Sequence, residues 1–334
     1  MMPEAPVRAG GRKLPRRLAA GAGLVLLVAG SIGIAAHYSA FVGTTWTLIA
    51  SFTPLLVVVT GVALVLLLLG RQRILALAAV AALSVGVWTQ VPLYRATPVP
   101  ADAPDGPQVR VMQANIYLGS ADTDALLRTV HDADVDILTV AELTEAAAQR
   151  LAAAGITQQL PYSFTKPRGG GGGTGIYSRY PLRDGQALPG FVLENLRATV
   201  AVPGTVPTAV YALHPLPPYP EPAYRWMAEL GQLGRILAAE TMPLVVGADF
   251  NSTYDHRQYR RVLEGATAPP LRDAAEFTGA GIVATYPADR WYPAVLAIDR
   301  ILTRGGTPLS FSRVDIPGSD HHGVVGDVRL DGGR

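Results

Sequence analysis

The chain has 334 residues and no cysteine, so its fold rests on packing and not on disulfides, as suits an exported domain. Its 28 basic and 26 acidic residues leave a net charge of +2, and that excess belongs to the first third. Eight basic but three acidic residues precede Gly106, so the remainder holds 20 against 23, a balance of about −3 that excludes the strongly basic surface of a non-specific nucleic-acid binder while leaving room for a local patch.

Residues 18–70 contain no Asp, Glu, Lys or Arg. Three apolar runs, at 18–36, 46–69 and 74–91, each approach the ~20 residues that a spanning helix needs, with Pro54 placed to kink the second. The sequence therefore predicts three transmembrane helices over 18–91. A basic flank at 1–17, with Arg8, Arg12, Lys13, Arg16 and Arg17, is followed by an uncharged first loop, by Arg71 and Arg73 in the second, and by Arg95 alone after the third run. This alternation places the N-terminus in the cytoplasm and everything after Val91 outside it. Residues 92–107, with Pro92, Pro98, Pro100, Pro104 and Pro107, predict a stiff extended linker.

From residue 108 to 334 the chain is long enough for one substantial core. Strands are predicted at 109–114 and 137–141, each followed by a helix, at 123–131 and 144–154. Strands follow at 176–178, 191–202 and 206–213, then a helix at 224–239, a strand ending at Asp249, and strands at 296–302, 309–314 and 324–330. Many strands with few covering helices predict two packed sheets flanked by helices. The five glycines at 169–173 lack the Lys-Ser/Thr of a phosphate loop and predict a mobile spacer or flap.

Polar residues stand at the ends of the apolar runs. V-M-Q-A-N ends at Asn115, L-T-V-A-E-L carries Glu142, and V-Y-A-L-H ends at His214. P-L-V-V-G-A-D-F-N carries Asp249 and Asn251, with Gly247 expected to turn the backbone out of the sheet. I-D-R-I-L carries Asp299, and S-D-H-H carries Asp320, His321 and His322. Singly, each has an ordinary structural account: a turn or helix cap for Asn115, Asp249 and Asp320, a first helical acid for Glu142, a core histidine for His214, a pairing with Arg300 or Arg304 for Asp299. Six such accidents in series are not an adequate account. Asp249 and Asn251, two apart on an extended segment, face one side, where a carboxylate orients water and an amide donates to a phosphoryl oxygen.

The series resembles the endonuclease/exonuclease/phosphatase superfamily, whose relatives include DNase I-like nucleases, inositol polyphosphate phosphatases and neutral sphingomyelinases. Ala248 departs from it, standing where the family usually has Gly. The resemblance implies a DNase I-like four-layer α/β/β/α sandwich and a divalent metal, usually Mg²⁺ (or Mn²⁺). By that resemblance Glu142 is the main metal ligand, with Asn115 and Asp320 beside it; Asp249 orients or activates water; Asn251 and His214 donate to phosphoryl oxygens; and His321 forms a dyad with Asp299. The identity of the general base stays open. Tyr177, Trp291, Tyr292 and Pro293 are candidate walls of the substrate pocket, with core packing an equal account of Tyr177.

Three hypotheses follow. The first is a membrane-anchored, extracytoplasmic, metal-dependent hydrolase of a lipid-linked phosphate; the second, a surface nuclease; the third, an inactive binding module. The acidic balance disfavours a nucleic-acid partner, the full set of site residues disfavours the third, and nothing points to a protein partner. Spans followed by such a domain also resemble the VanJ-type teicoplanin-resistance membrane proteins, which implies undecaprenyl diphosphate as substrate and a role in the cell envelope. The predicted topology is checked by fusing a reporter that fluoresces only in the cytoplasm after Arg334: the membrane fraction is expected to stay dark, and bright fluorescence reverses the orientation.

Overall fold

The computed structural model of the chain describes residues 13–41, 43–99, 101, 103, 105–265 and 269–332. Arg8 and Arg12 of the predicted basic flank, and Pro100 and Pro104 of the predicted linker, lie outside the described residues. The chain divides into two compact units, Met1–Ser39 with Phe52–Val91, and Ala40–Ser51 with Pro92–Arg334.

Four helices come first: α1 (Lys13–Tyr38), α2 (Thr44–Ser51), α3 (Thr53–Leu69) and α4 (Arg73–Tyr94). Both α1 and α4 are long and apolar enough to cross a membrane, while α2 and α3 form a bent pair that makes a third span only if counted as one. The run at 46–69 is thus two helices. Pro54 falls in the first turn of α3, where its missing N–H costs nothing, and the chain bends by 71° across the break at Phe52 that precedes it. In the first unit α1 lies close on α3, since a Cβ on Gly30 would stand 2.0 Å from Thr60 Oγ1. α2 belongs to the second unit, a boundary the composition does not show.

The second unit continues with β1 (Gln108–Asn115), α5 (Thr123–Asp132), β2 (Ile137–Ala141), α6 (Glu145–Ala153), α7 (Ile156–Gln159), β3 (Tyr162–Lys166), β4 (Thr174–Ser178), β5 (Leu182–Ala187), β6 (Leu196–Val200) and β7 (Thr208–Leu213). Then come α8 (Ala223–Ala239), β8 (Leu244–Asp249), α9 (Arg257–Glu264), β9 (Arg272–Asp273), α10 (Ala274–Thr278), β10 (Asp299–Arg304), β11 (Thr307–Pro308), β12 (Ser312–Val314) and β13 (Gly323–Arg329). The predicted linker is partly built in. Pro92 lies inside α4, and the Thr97 and Gly106 N–H groups donate to Phe277 O and Leu330 O.

One sheet runs β11-β13-β1-β2-β4-β3, with β12 also on β13, and the other runs β5-β6-β7-β8-β10-β9. Alternation along each strand sorts the apolar side chains into layers. Val109, Val111, Val210, Val245 and Ile301 fill the space between the sheets. Met112, Leu138 and Val140 face outward onto Leu126, Val130 and Leu151 of α5 and α6, whereas Leu244, Val246 and Ala248 face outward onto Trp226, Leu230 and Tyr259 of α8 and α9. The result is helix, sheet, sheet, helix. Ala248 sits in the outer layer, fully buried, and is absent from the residues with positive φ, so its methyl group is accommodated.

Gly247 has a different task from the one its sequence context suggests. It lies inside β8, and a Cβ there would come 2.0 Å from Thr139 Oγ1 on the opposing sheet. It permits the two sheets to approach. Gly247→Ala is therefore expected to destabilise the fold by ~1–3 kcal/mol, the usual cost of overpacking a core. Thermal denaturation checks this, and adding Thr139→Ala is expected to recover part of the loss.

Candidate active site

Period-two alternation aims Asn115, Asp249 and Asp299 to the inner side of their sheets, at one end of the sandwich. Asp249 and Asp299 are register partners across β8 and β10. Asn115 closes β1, and its side-chain amide donates to Glu142 Oε1 and to Asp249 Oδ2, both at 3.0 Å, while its Oδ1 accepts from the Tyr117 N–H at 3.0 Å. One side chain thus links a carboxylate on each sheet.

Glu142 follows β2 with a φ of +61°, a left-handed conformation that costs a non-glycine residue ~1–3 kcal/mol. Leu118 N–H donates to its other oxygen at 2.7 Å. Tyr117, Leu118 and Asn251 also have positive φ, so backbone strain gathers around this end of the sandwich. The glycine segment at 169–173 adjoins Glu142: Gly171 is buried, and a Cβ on it would stand 3.4 Å from Glu142 Oε2. Gly172 and Gly173 carbonyls accept from Glu194 and Leu143 N–H, so this stretch is a packed turn and not a spacer.

Asp249 uses its oxygens differently. Oδ1 accepts from Asn251 N–H at 2.8 Å in an Asx turn, leaving Oδ2 for Asn115. The same Oδ2 lies 3.7 Å from His214 Nε2 and 3.8 Å from His321 Nε2. Burial raises the proton affinity of Asp249, the Asp299 charge raises it further, and His321 and His214 counter both. His321 Nδ1 meets Asp299 Oδ2 at 2.9 Å. Burial opposes the imidazolium, but the Asp299 and Asp249 charges outweigh it and push the pKa up to about 10, so His321 is a cation near neutral pH.

The eight residues singled out in the sequence all meet here, although Asn251 turns one amide N–H to Pro215 O at 3.0 Å. His322 points elsewhere, to Asp315 at 2.9 Å. Tyr177 lies buried in the core against α5 and α6. Trp291 is 95% exposed, stacked edge-on with Tyr292 in a segment closed by the Tyr286–Leu296 bridge, and the Tyr286 ring rests 4.9 Å from His321.

Three supporting residues escaped the sequence reading. Asn195 Oδ1 accepts from His214 N–H at 2.8 Å. Ser319, quoted in its motif without a role, donates to Asn115 O at 2.8 Å and accepts from His321 N–H at 3.0 Å. Glu229 accepts from Val192 N–H at 3.0 Å and Leu216 N–H at 2.7 Å, bracing the loops on either side of His214. A buried acid on a helix face is the one signal the sequence offered for Glu229.

The donor set suits a hard cation. Asp320 Oδ1 and Asp299 Oδ1 are buried without a hydrogen-bond partner. Burial pushes Asp320 up to about 6, His321 pulls the other way, and the Glu142 and Asp289 charges add smaller upward pushes. Among the described residues the group of His, Asp and Glu ligand atoms close enough to share an ion is Asp249, Asp299 and His321, already joined by the histidine dyad.

The model of the Endonuclease/Exonuclease/phosphatase family matches residues 112–321. Among solved structures, D. rerio TDP2 humanized by 14 mutations is 18% identical, with a TM-score of 0.55 over 67% of this chain and 99% of its own. An endonuclease/exonuclease/phosphatase from Beutenbergia cavernae DSM 12333 is 20% identical, with a TM-score of 0.51 over 67% of this chain and 72% of its own. One from Bacteroides vulgatus is 17% identical, with a TM-score of 0.53 over 67% and 100%. At these identities the likeness is one of fold. No curated protein matches the sequence.

The dyad makes a testable electrostatic statement. Asp299→Asn removes the nearer of the two charges that hold His321 protonated, so the imidazolium is expected to lose its proton at lower pH than in the wild type. A titration of the His321 ring by NMR checks this, and an unchanged midpoint contradicts the pairing.

Proposed function

The chain belongs to the Endonuclease/Exonuclease/phosphatase family, and from that premise we propose that it is a membrane-anchored, extracytoplasmic phosphohydrolase acting on a lipid-linked phosphate ester or diphosphate. Members of this superfamily are metal-dependent hydrolases of phosphate esters, and two helices of this chain are long and apolar enough to cross a membrane. The observation that carries the reading is the convergence of His214 and His321 on one oxygen of Asp249, beside Asn115 and Glu142.

In this reading Asp249, its proton affinity raised by burial, holds the attacking water and draws on its proton. His321, kept cationic by Asp299 and Asp249, donates to a phosphoryl oxygen and offsets the charge that builds up there, while His214 donates from the other side. Asn115 holds Asp249 and Glu142 in register. Glu142 and Asp320, with Asn115 adjacent, would hold a Mg²⁺ or Mn²⁺ ion, which when bound polarises a phosphoryl oxygen and neutralises its charge.

A lipid substrate is supported by the rim. Trp291, Tyr292 and Val295 are exposed on the segment anchored beside His321 through Tyr286, and Tyr117 and Leu118 are exposed next to Glu142. Aromatic side chains with one wet end suit a headgroup-level surface or an isoprenoid tail. Three spans with a cytoplasmic N-terminus, the second carried by α3 with α2 leading into it, would hold the domain at the outer leaflet, where lipid-borne phosphates gain effective concentration. The VanJ-type resemblance puts undecaprenyl diphosphate first among these, in cell-envelope metabolism or glycopeptide resistance. A nuclease is the second reading. Its support is a D. rerio TDP2 complexed with single strand DNA product, 18% identical with a TM-score of 0.54, and the −3 balance of the domain speaks against it.

The test is hydrolysis by detergent-solubilised full-length protein with Mg²⁺, given undecaprenyl diphosphate, sphingomyelin, phosphoinositides or plasmid DNA. Phosphate release from the polyprenyl diphosphate is expected, abolished by excess chelator and reduced about 10²- to 10⁴-fold in Asp249→Ala and in Glu142→Ala. DNA cleavage without lipid turnover would replace this reading with the nuclease.

A further inference from the structure

The segment that carries Asp249 and Asn251 leaves β8 and is pinned at its far end by His256, which directly precedes α9. His256 is 2% exposed and lies outside the catalytic constellation. Its two ring nitrogens face opposite ways. Nδ1 stands 3.0 Å from the Thr253 N–H and 3.2 Å from Thr253 Oγ1. Nε2 stands 3.0 Å from the Thr47 carbonyl oxygen on α2, with Ser51 Oγ at 3.4 Å.

These partners leave one protonation state. A backbone N–H only donates, so Nδ1 accepts; a carbonyl only accepts, so Nε2 carries the hydrogen and donates. The ring is therefore the neutral Nε2–H tautomer, and burial holds its pKa down at about 4, against the opposing pull of Thr47, Asp255 and Thr253. The Trp226 ring stands edge-on at 5.1 Å, and its Nε1–H donates to Ser252 Oγ at 3.1 Å. Ser252 in turn donates to Phe250 O at 2.9 Å. Phe250, Ser252 and Thr253 are thus within one or two hydrogen bonds of His256 or of Trp226 beside it, and Asn251 between them holds a left-handed φ of +49°.

We propose that His256 is a positioning residue that ties the segment bearing Asp249 and Asn251 to α2, making the seating of α2 a condition of the catalytic geometry. α2 is the partner of α3 in the bent apolar pair, separated from it by Phe52 alone. The inference rests on the assignment of Asp249 and Asn251 to catalysis. It adds that the loop is held from far along the chain: an eight-residue helix preceding α3 in sequence holds a loop that lies about 200 residues later. Displacement of catalytic groups by a fraction of an ångström is enough to lower turnover, and a shift of about 1 Å can cost as much as 10²-fold.

Two substitutions separate the tether from the local loop bond. In His256→Asn the amide oxygen stands near the Nδ1 position and keeps the Thr253 bond but does not reach Thr47. In His256→Gln the amide nitrogen reaches the Nε2 position and keeps the Thr47 bond at the expense of Thr253. Full-length wild type and both variants are compared in detergent with Mg²⁺, using bis(4-nitrophenyl) phosphate as a soluble probe. Hydrogen exchange of residues 44–51 and 249–256 is measured on the same samples. The expected result is a kcat about tenfold lower in His256→Asn with KM unchanged, a smaller loss in His256→Gln, and faster exchange of both segments together in His256→Asn alone. A larger loss in His256→Gln, or exchange in His256→Asn that rises at 249–256 while 44–51 stays at the wild-type rate, overturns the tether. The exchange result stands without any turnover, so a chain that hydrolyses nothing would refute the assigned function and leave the tether to be judged on its own.

Discussion

The hydrogen bond from the Asn115 amide to Asp249 crosses from one sheet to the other, and the rest of the site depends on the closeness it demands. Two sheets held ~10 Å apart by ordinary side chains do not bring backbone-anchored polar groups into contact. Here the gap narrows because Gly247 offers no Cβ to Thr139. Strand pairing then fixes the remaining distances: Asp299 opposes Asp249 in register, and the neighbouring end of β2 delivers Glu142 beside Asn115. The site is assembled from strand ends whose positions the backbone ladders already determine, so few side chains have freedom to lose on binding substrate.

Alternation also separates two buried charge systems. Asp299 faces inward to His321, while its neighbour Arg300 faces outward, 3.2 Å from Asp273 and 5.4 Å over the Tyr259 ring. The adjacent pairing of Asp299 with Arg300 that the sequence permits is ruled out by this geometry. Arg300 donates to Asp273 and to Ala297 O, with Tyr259 Oη donating to Asp273 at 2.7 Å, and adds no neutralising hydrogen bond to the carboxylates of the candidate site. The inner cluster keeps its negative excess, which is the condition for a histidine to stay protonated and for a cation to be welcome.

Much of this was legible in the sequence because period-two burial leaves a plain trace. The strand 137–141 was placed to the residue, and the helices at 123–131 and 224–239 to within a residue or two. Each apolar run ended in the polar residue that the site uses. Edges were harder: β3 and β5 flank their sheets with mostly exposed residues and carry no apolar run to find. α9 has no counterpart among the predicted elements although Gln258, Tyr259, Val262 and Leu263 give it a clear buried face, because Arg257, Arg260 and Arg261 interrupt its short apolar pattern. The division of the run at 46–69 was not legible, since hydropathy alone does not distinguish a helix that spans from one that joins a folded domain. α2 meets a histidine far along the chain through the Thr47 carbonyl and the Ser51 hydroxyl, contacts that hydropathy does not register.

The pairing of β13 with β1 carries a consequence for how the protein comes into being. β1 opens the catalytic domain, yet one of its edges is covered by Gly323–Arg329, so Val109 is matched to Val328 only when almost the whole domain has been made. A chain emerging N-terminus first presents β1 with one bare flank throughout synthesis, an edge open to wrong partners and a slow, long-range closure to make. Asp320 and His321 arrive just ahead of that closing strand. The last step that seals the first sheet is therefore also the one that completes the candidate site, so in the proposed reading a partly made chain is an inert one.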